Sequence, residues 1–170
     1  MTNQPSSATA ASFPSEYGDP GDPGERLPWS YVEEKLRAAS NYWLTTTSPK
    51  GKPHARPVDG VWVDGALCFG GSPETRWVRN LQANPAASVN LASEAEAIIL
   101  EGTAELVTEA THPLAEASSA ANKEKYPQYY GGDSPMLEGF HPFWVLRPSR
   151  AYAWSLEGFP RRATRWDFDR

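Results

Sequence analysis

Short apolar runs joined by tight-turn residues constrain this chain more than any other feature. YWLTTT (42–47) leads through Ser48-Pro49-Lys50-Gly51 into PHARPVDGVWV (53–63), which leads through Asp64-Gly65 into ALCFG (66–70). Such turns supply the backbone angles a hairpin needs, so the runs read as neighbouring antiparallel strands. ASVNLAS (87–93) and AIILEGTAELVT (97–108), parted by Glu94-Ala95-Glu96, add two more. One helix interrupts them, ETRWVRNLQANP, with Ser72 as N-cap, Pro73 as first helical residue and Asn84-Pro85 as its stop. FWVLRPS (143–149), RAYAWSL (150–156) and ATRWDF (163–168) follow as three further β-rich segments linked by Gly158-Phe159-Pro160. Many short strands with few helices predict a closed or partly closed antiparallel barrel.

The flanks are different. Residues 1–27 are rich in Pro, Gly, Ser, Thr and Ala, with Phe13 and Tyr17 as their aromatic groups, and read as a disordered tail before a single domain at 28–170. The domain opens with a short helix, for which Ser30 and Glu33 form a capping box and Val32, Leu36 and Ala39 share one face. Residues 113–125 have high helix propensity but a weak apolar face, and 126–139 form a loop of Gly, Pro and Tyr.

With 170 residues, 39% hydrophobic, and seven Trp, the chain has enough to bury for one domain, which excludes wholesale disorder. The net charge of −5 speaks against a nucleic-acid partner. The longest apolar run, AIIL (97–100), falls far short of the about 18 residues of a membrane span. A single cysteine and an N-terminus without the charge and apolar stretch of an export signal make a reducing, cytoplasmic setting the expectation.

Charge is unevenly placed. Between 94 and 138 nine acids stand against Lys123 and Lys125, whereas Lys50, Lys52 and Arg56 flank the first hairpin and Arg76 and Arg79 lie on the internal helix. Such clusters suit a small anionic ligand. GGSPETRWVR (70–79) is the best candidate, because it turns on two glycines and opens a helix whose free N–H groups favour an anion, with Arg76 and Arg79 at i and i+3. A plain helix start with two solvated arginines is the alternative. Metal and hydrolytic chemistry find no pattern, since His54, His112 and His141 are dispersed and HExxH, CxxC and GxSxG are missing. Cys68 reads as an inert core thiol, and His112 and His141, each before a proline, as loop residues. His54 shares a strand, and a face, with Arg56. Trp43, Trp62, Trp144, Trp154 and Trp166 read as core or interface, though a barrel groove edged by Trp and Arg also suits a planar cofactor.

Taken together, LPWSYVEEKLRAASNYWLTTT, GKPHARPVDGVWVDGALCFGG, TRWVRNLQANPAASVNL, EGTAELVT and AYAWSLEGFPRRATRW resemble, in order and spacing, the pyridoxamine 5′-phosphate oxidase-like, FMN-binding split-barrel superfamily, and especially its actinobacterial branch that uses the deazaflavin F420. The resemblance runs from about Leu27 to Phe168. It implies a mainly β fold, a six-stranded antiparallel split barrel of Greek-key type. It also implies a homodimer with F420 or FMN in each of two grooves between the subunits, acting on a small-molecule substrate. By the same resemblance His54, Arg56 and Val58 line the ring of the cofactor, while Ser72, Thr75, Arg76 and Arg79 hold its phosphate. Trp154 and Arg165 close the groove's edge or approach it from the partner subunit. Two positions depart from the pattern: Trp77 stands where relatives commonly carry Lys, and Asp59 where they often carry an aromatic residue.

The chemistry implied is hydride transfer, for which no protein nucleophile is needed, so no catalytic residue is assigned and Asp59 and His54 are proton-relay candidates only. A non-catalytic carrier of flavin, deazaflavin or haem is the alternative, haem resting on His54 as axial ligand. Pyridoxamine phosphate oxidation fits less well, given Trp77, Asp59 and the reductase-like ATRWDF.

Overall fold

In the computed structural model, residues 3–22, 25–130 and 139–169 are described. Among these residues nine strands and four α-helices follow in the order β1 (Ser7–Ala10), α1 (Trp29–Ala38), β2 (Tyr42–Thr47), β3 (Pro53–Val58), β4 (Gly60–Val63), β5 (Ala66–Phe69), α2 (Arg76–Ala83), β6 (Ala86–Asn90), β7 (Glu96–Val107), α3 (Leu114–Lys125), α4 (Pro127–Tyr130), β8 (Phe143–Ser155) and β9 (Thr164–Asp167). The barrel of the sequence reading is present, with more strands than the six expected.

Turn chemistry sets the hairpins. Asp64 and Gly65 sit at φ 48° and 74°, the double positive φ of a type I′ turn, so β4 and β5 pair from Val63 opposite Ala66 outward. All pairings are antiparallel, along the path β1-β9-β8-β7-β6-β2-β3, with β5 added to β8 and β4 to β5. The outer strands β3 and β4 are consecutive, separated by Asp59 alone, so the sheet curls back on itself at residues 58–60. PHARPVDGVWV is therefore two strands around a corner.

The segments at 143–149 and 150–156 are, in contrast, one strand. β8 follows β7 along its whole length, Glu101 facing Arg150 and Gly102 facing Pro148, which leaves Ser149 as a bulge. A Cβ on Gly102 would lie 2.1 Å from the Arg147 carbonyl oxygen, so only glycine permits this approach. On its other edge β8 pairs β5 through 144–146 and β9 through 150–153, and the bulge falls between the two partners.

Two cores result. The larger gathers Trp29, Val32 and Leu36 of α1 with Tyr42, Leu44, Trp62, Leu67, Phe69, Leu100, Leu146 and Trp166 inside the barrel. The smaller, with Val61, Ala66, Cys68, Val107, Leu114, Tyr126 and Val145, lies outside it. Thus β5 is buried on both faces.

Three local expectations are corrected. The capping box does not form: α1 starts at Trp29 after Pro28 with no side-chain cap, and Glu33 is drawn inward, accepting from Trp62 Nε1 at 3.3 Å. Where described, the segment read as a disordered tail holds a strand, Ser7–Ala10, and a short 3-10 turn, Ser15–Tyr17. β1 pairs β9 from Ser7 opposite Asp167 to Ala10 opposite Thr164, because β9 otherwise offers an open edge. Phe13 packs edge-on against Trp154 and Phe159, with ring centroids 5.7 and 4.8 Å away. Third, the expected loop at 126–139 begins as α4, and its remainder at 131–138 lies outside the described residues.

Candidate functional site

The corner at 58–60, the end of β5 and the start of α2 form one wall of a cleft of about 1260 Å³. The ends of β7 and β8 and one side of α3 form the other. On the barrel side Val58, Phe69, Trp77 and Trp144 are buried and make an apolar lining. Toward solvent come Arg56, Asp59, Ser72 and Thr75. Its volume exceeds that of most small-ligand sites and suits a ligand larger than a simple metabolite. A smaller, open hollow of about 460 Å³ at Glu25, Phe159, Arg161 and Arg162 holds none of the expected site residues.

Helix α2 is pinned to the sheet by Asn80 Nδ2, which donates to Thr46 Oγ1 at 2.9 Å, both groups buried. The helix begins at Arg76 rather than at Pro73, because residues 72–75 close as a turn of their own. Ser72 Oγ accepts from the Glu74 N–H, and Thr75 donates to the Ser72 carbonyl through both N–H (3.0 Å) and Oγ1 (2.8 Å). The first amide to reach back within the helix is that of Arg79, onto Thr75, so those of Arg76, Trp77 and Val78 have no intrahelical acceptor. The helix start itself is present, three residues later than the sequence places it.

Trp77 is 2% exposed, with its ring 5.5 Å from that of Phe69. A Cβ on Gly71 would stand 2.0 Å from Trp77 Cζ2, so the indole fills the space beneath the Gly70-Gly71 turn and Gly71 is what admits it. At the position where the resemblance leads one to expect Lys, this chain has a buried ring.

The structure brings part of the expected set together. Arg56, Val58, Ser72 and Thr75 line the cleft. His54 lies just off it on β3, and its pKa is held down by partial burial and by the charges of Arg76 and Arg56, which marks those three groups as neighbours. Arg76 and Arg79 are exposed and outside the lining. Trp154 and Arg165 are elsewhere in the chain: Trp154 packs on Phe13, and Arg165 pairs with Asp167 at 2.8 Å. Cys68 is buried, its thiol pushed up to about 12 by burial, which makes it a poor nucleophile.

The sequence reading missed the α3 wall, where Ser118, Ser119, Asn122 and Lys123 face the cleft. Its signal was the weak apolar face itself: Ser118 and Asn122, at i and i+4, put polar groups on the side that packs. Among the described residues no group of three or more His, Cys, Asp or Glu side chains could hold a metal ion, and no helix is long and apolar enough to cross a membrane.

Barrel topology defines the class, a mainly β antiparallel split barrel. The chain belongs to the pyridoxamine 5′-phosphate oxidase family, whose model matches residues 31–155. No curated protein matches it. Among solved structures, the haem-storage protein HutZ of Vibrio cholerae is similar at 22% identity and TM-score 0.58, over 72% of this chain and 90% of that one. An F420 reductase is similar at 21% identity and TM-score 0.54, over 70% and 94%. An FAD-binding protein of Mesorhizobium loti is similar at 16% identity and TM-score 0.57, over 82% and 95%. At these identities the likeness is one of fold.

Proposed function

We propose that the chain is a cytoplasmic, homodimeric oxidoreductase that binds F420 or FMN in this cleft and transfers hydride to or from a small conjugated molecule. One observation carries the reading: the cleft joins a buried aromatic wall to a donor-rich rim. The Ser72 hydroxyl, the free amides at the start of α2 and the Arg56 guanidinium are a donor set suited to phosphate, with Arg76 adding positive potential. Phe69, Trp77 and Trp144 suit a planar ring. The bound cofactor would supply the hydride chemistry. The chain's own residues bind and orient the reactants and keep water from the apolar wall, and Asp59 and His54 are the candidates to carry a proton at its edge. Trp154 and Arg165 are assigned to the cleft of a second copy.

The test is an absorbance spectrum of the protein as purified, then fluorescence titration of the cofactor-free form with F420 and FMN. Micromolar or tighter binding of either, weakened in Arg56→Ala, supports the reading, and binding of neither overturns it. A tightly held cofactor that no electron acceptor reoxidises favours a carrier instead, and a Soret band abolished by His54→Ala puts haem in the cofactor's place.

A further inference from the structure

Beside the cleft, the end of α3 reaches inward. Lys125 Nζ donates to Tyr42 Oη and to the Gly60 carbonyl, each at 3.0 Å, and lies over the Tyr42 and Tyr126 rings at 4.9 and 5.6 Å from their centroids. Tyr126 Oη accepts from the Gly60 N–H at 3.0 Å and stands 2.9 Å from the carbonyls of Gly60 and Ser40, to one of which it donates. Two consecutive residues thus hold both backbone groups of Gly60. That residue has no slack on its other side, where a Cβ would meet the Cys68 carbonyl oxygen at 2.8 Å. The residue before it is Asp59, on the cleft.

We infer that Lys125 is a positioning residue of the cleft, which fixes the 58–60 corner and, as the counter-charge of Asp59, sets how well the cleft accepts an anionic ligand. The second half rests on the proposed anionic occupant, whereas the first does not. Burial pushes the Lys125 ammonium down to about 8, against the pull of Asp59. The ammonium touches Tyr42 of β2 and Tyr126 at its own chain end, with Cys68 of β5 near Tyr42 and Tyr130 of α4 near Tyr126, all four pushed up, chiefly by burial. Between pH 7 and 9 the ammonium is the member of this set that changes charge. The neutral amine still has N–H groups for Gly60 and Tyr42, so the corner stays in place while Asp59 loses its balancing charge.

The experiment has two arms on the full chain, with thermal melts confirming that each variant folds. In the cofactor-free protein, NMR of lysine labelled at Cε follows Lys125, identified by the signal missing in Lys125→Arg. A midpoint near 8 that falls in Asp59→Asn is expected; a midpoint near the ordinary lysine value, or one indifferent to Asp59→Asn, overturns the inference. In the second arm, FMN and F420 are titrated at pH 7 and 9. Wild type is expected to lose roughly three- to tenfold in affinity on going to pH 9. Lys125→Arg loses none, and Lys125→Met is weak at both. Equal pH dependence in wild type and Lys125→Arg overturns the counter-charge role. Should neither cofactor bind wild type at any pH, the proposed occupant fails and the NMR arm alone decides the inference.

Discussion

The two walls of the cleft are made in opposite ways. The barrel wall is a set of large side chains seated by shape, with Trp77 lodged against Gly71 and Phe69. The α3 wall is polar and is held by hydrogen bonds, those of Lys125 and Tyr126 on Gly60 and that of Asn122 Nδ2 on the Ser118 carbonyl at 2.9 Å. A packed wall resists change in volume, whereas a hydrogen-bonded one resists loss of a donor. Substitutions on each side are therefore expected to differ in size and in what they disturb.

The largest effect is expected on the packed side. Trp77→Ala removes a buried ring and should cost about 3–5 kcal/mol of stability, read by urea unfolding. A loss under about 1 kcal/mol would mean that the wall collapses to fill the gap and is softer than its packing suggests. On the bonded side Tyr126→Phe leaves the buried Gly60 amide without its acceptor and should cost about 1–3 kcal/mol by the same measurement. At the rim, Arg56→Ala should weaken FMN or F420 about tenfold, about 1.4 kcal/mol, with the unfolding midpoint unchanged. Exposed Arg79 lies off the cleft, and its replacement by Ala should leave affinity within about twofold.

Stability against pH sharpens the same contrast. The folded Lys125 releases its proton near 8, below the value it has in the unfolded chain, so between those two values the unfolded state binds more protons. Wild type should then gain stability relative to Lys125→Met from about pH 8 toward 10, as seen in urea midpoints across that range. Above pH 10 the raised Tyr42 works in the other direction, because the folded state there keeps the proton that the unfolded state loses.

Legibility in the sequence follows the same division. The barrel was readable because its information is local: Asp64-Gly65 fixes a hairpin, and Asn84-Pro85 ends a helix where the structure ends it. Arg56, Val58, Ser72 and Thr75, named as site residues through the family resemblance, all line the cleft. Ser30 and Glu33 misled, because a capping box is a local preference and Glu33 found the Trp62 indole instead. The order of residues 7–10 depends on an edge more than 150 positions away, which no local pattern carries. Lys125 and Tyr126 were invisible for the same reason, their partners at 42 and 60 being brought near only by the curl of the sheet.

The lone thiol gives the molecule a clock. Cys68 lies at the back of the cleft, sealed among Val61, Val107, Leu114 and Val145, in a chain with no second cysteine to confuse the signal. Its rate of reaction with a thiol reagent in the native state counts how often the wall beside it parts, and a ligand that ties the two walls together should slow that count in proportion to its occupancy.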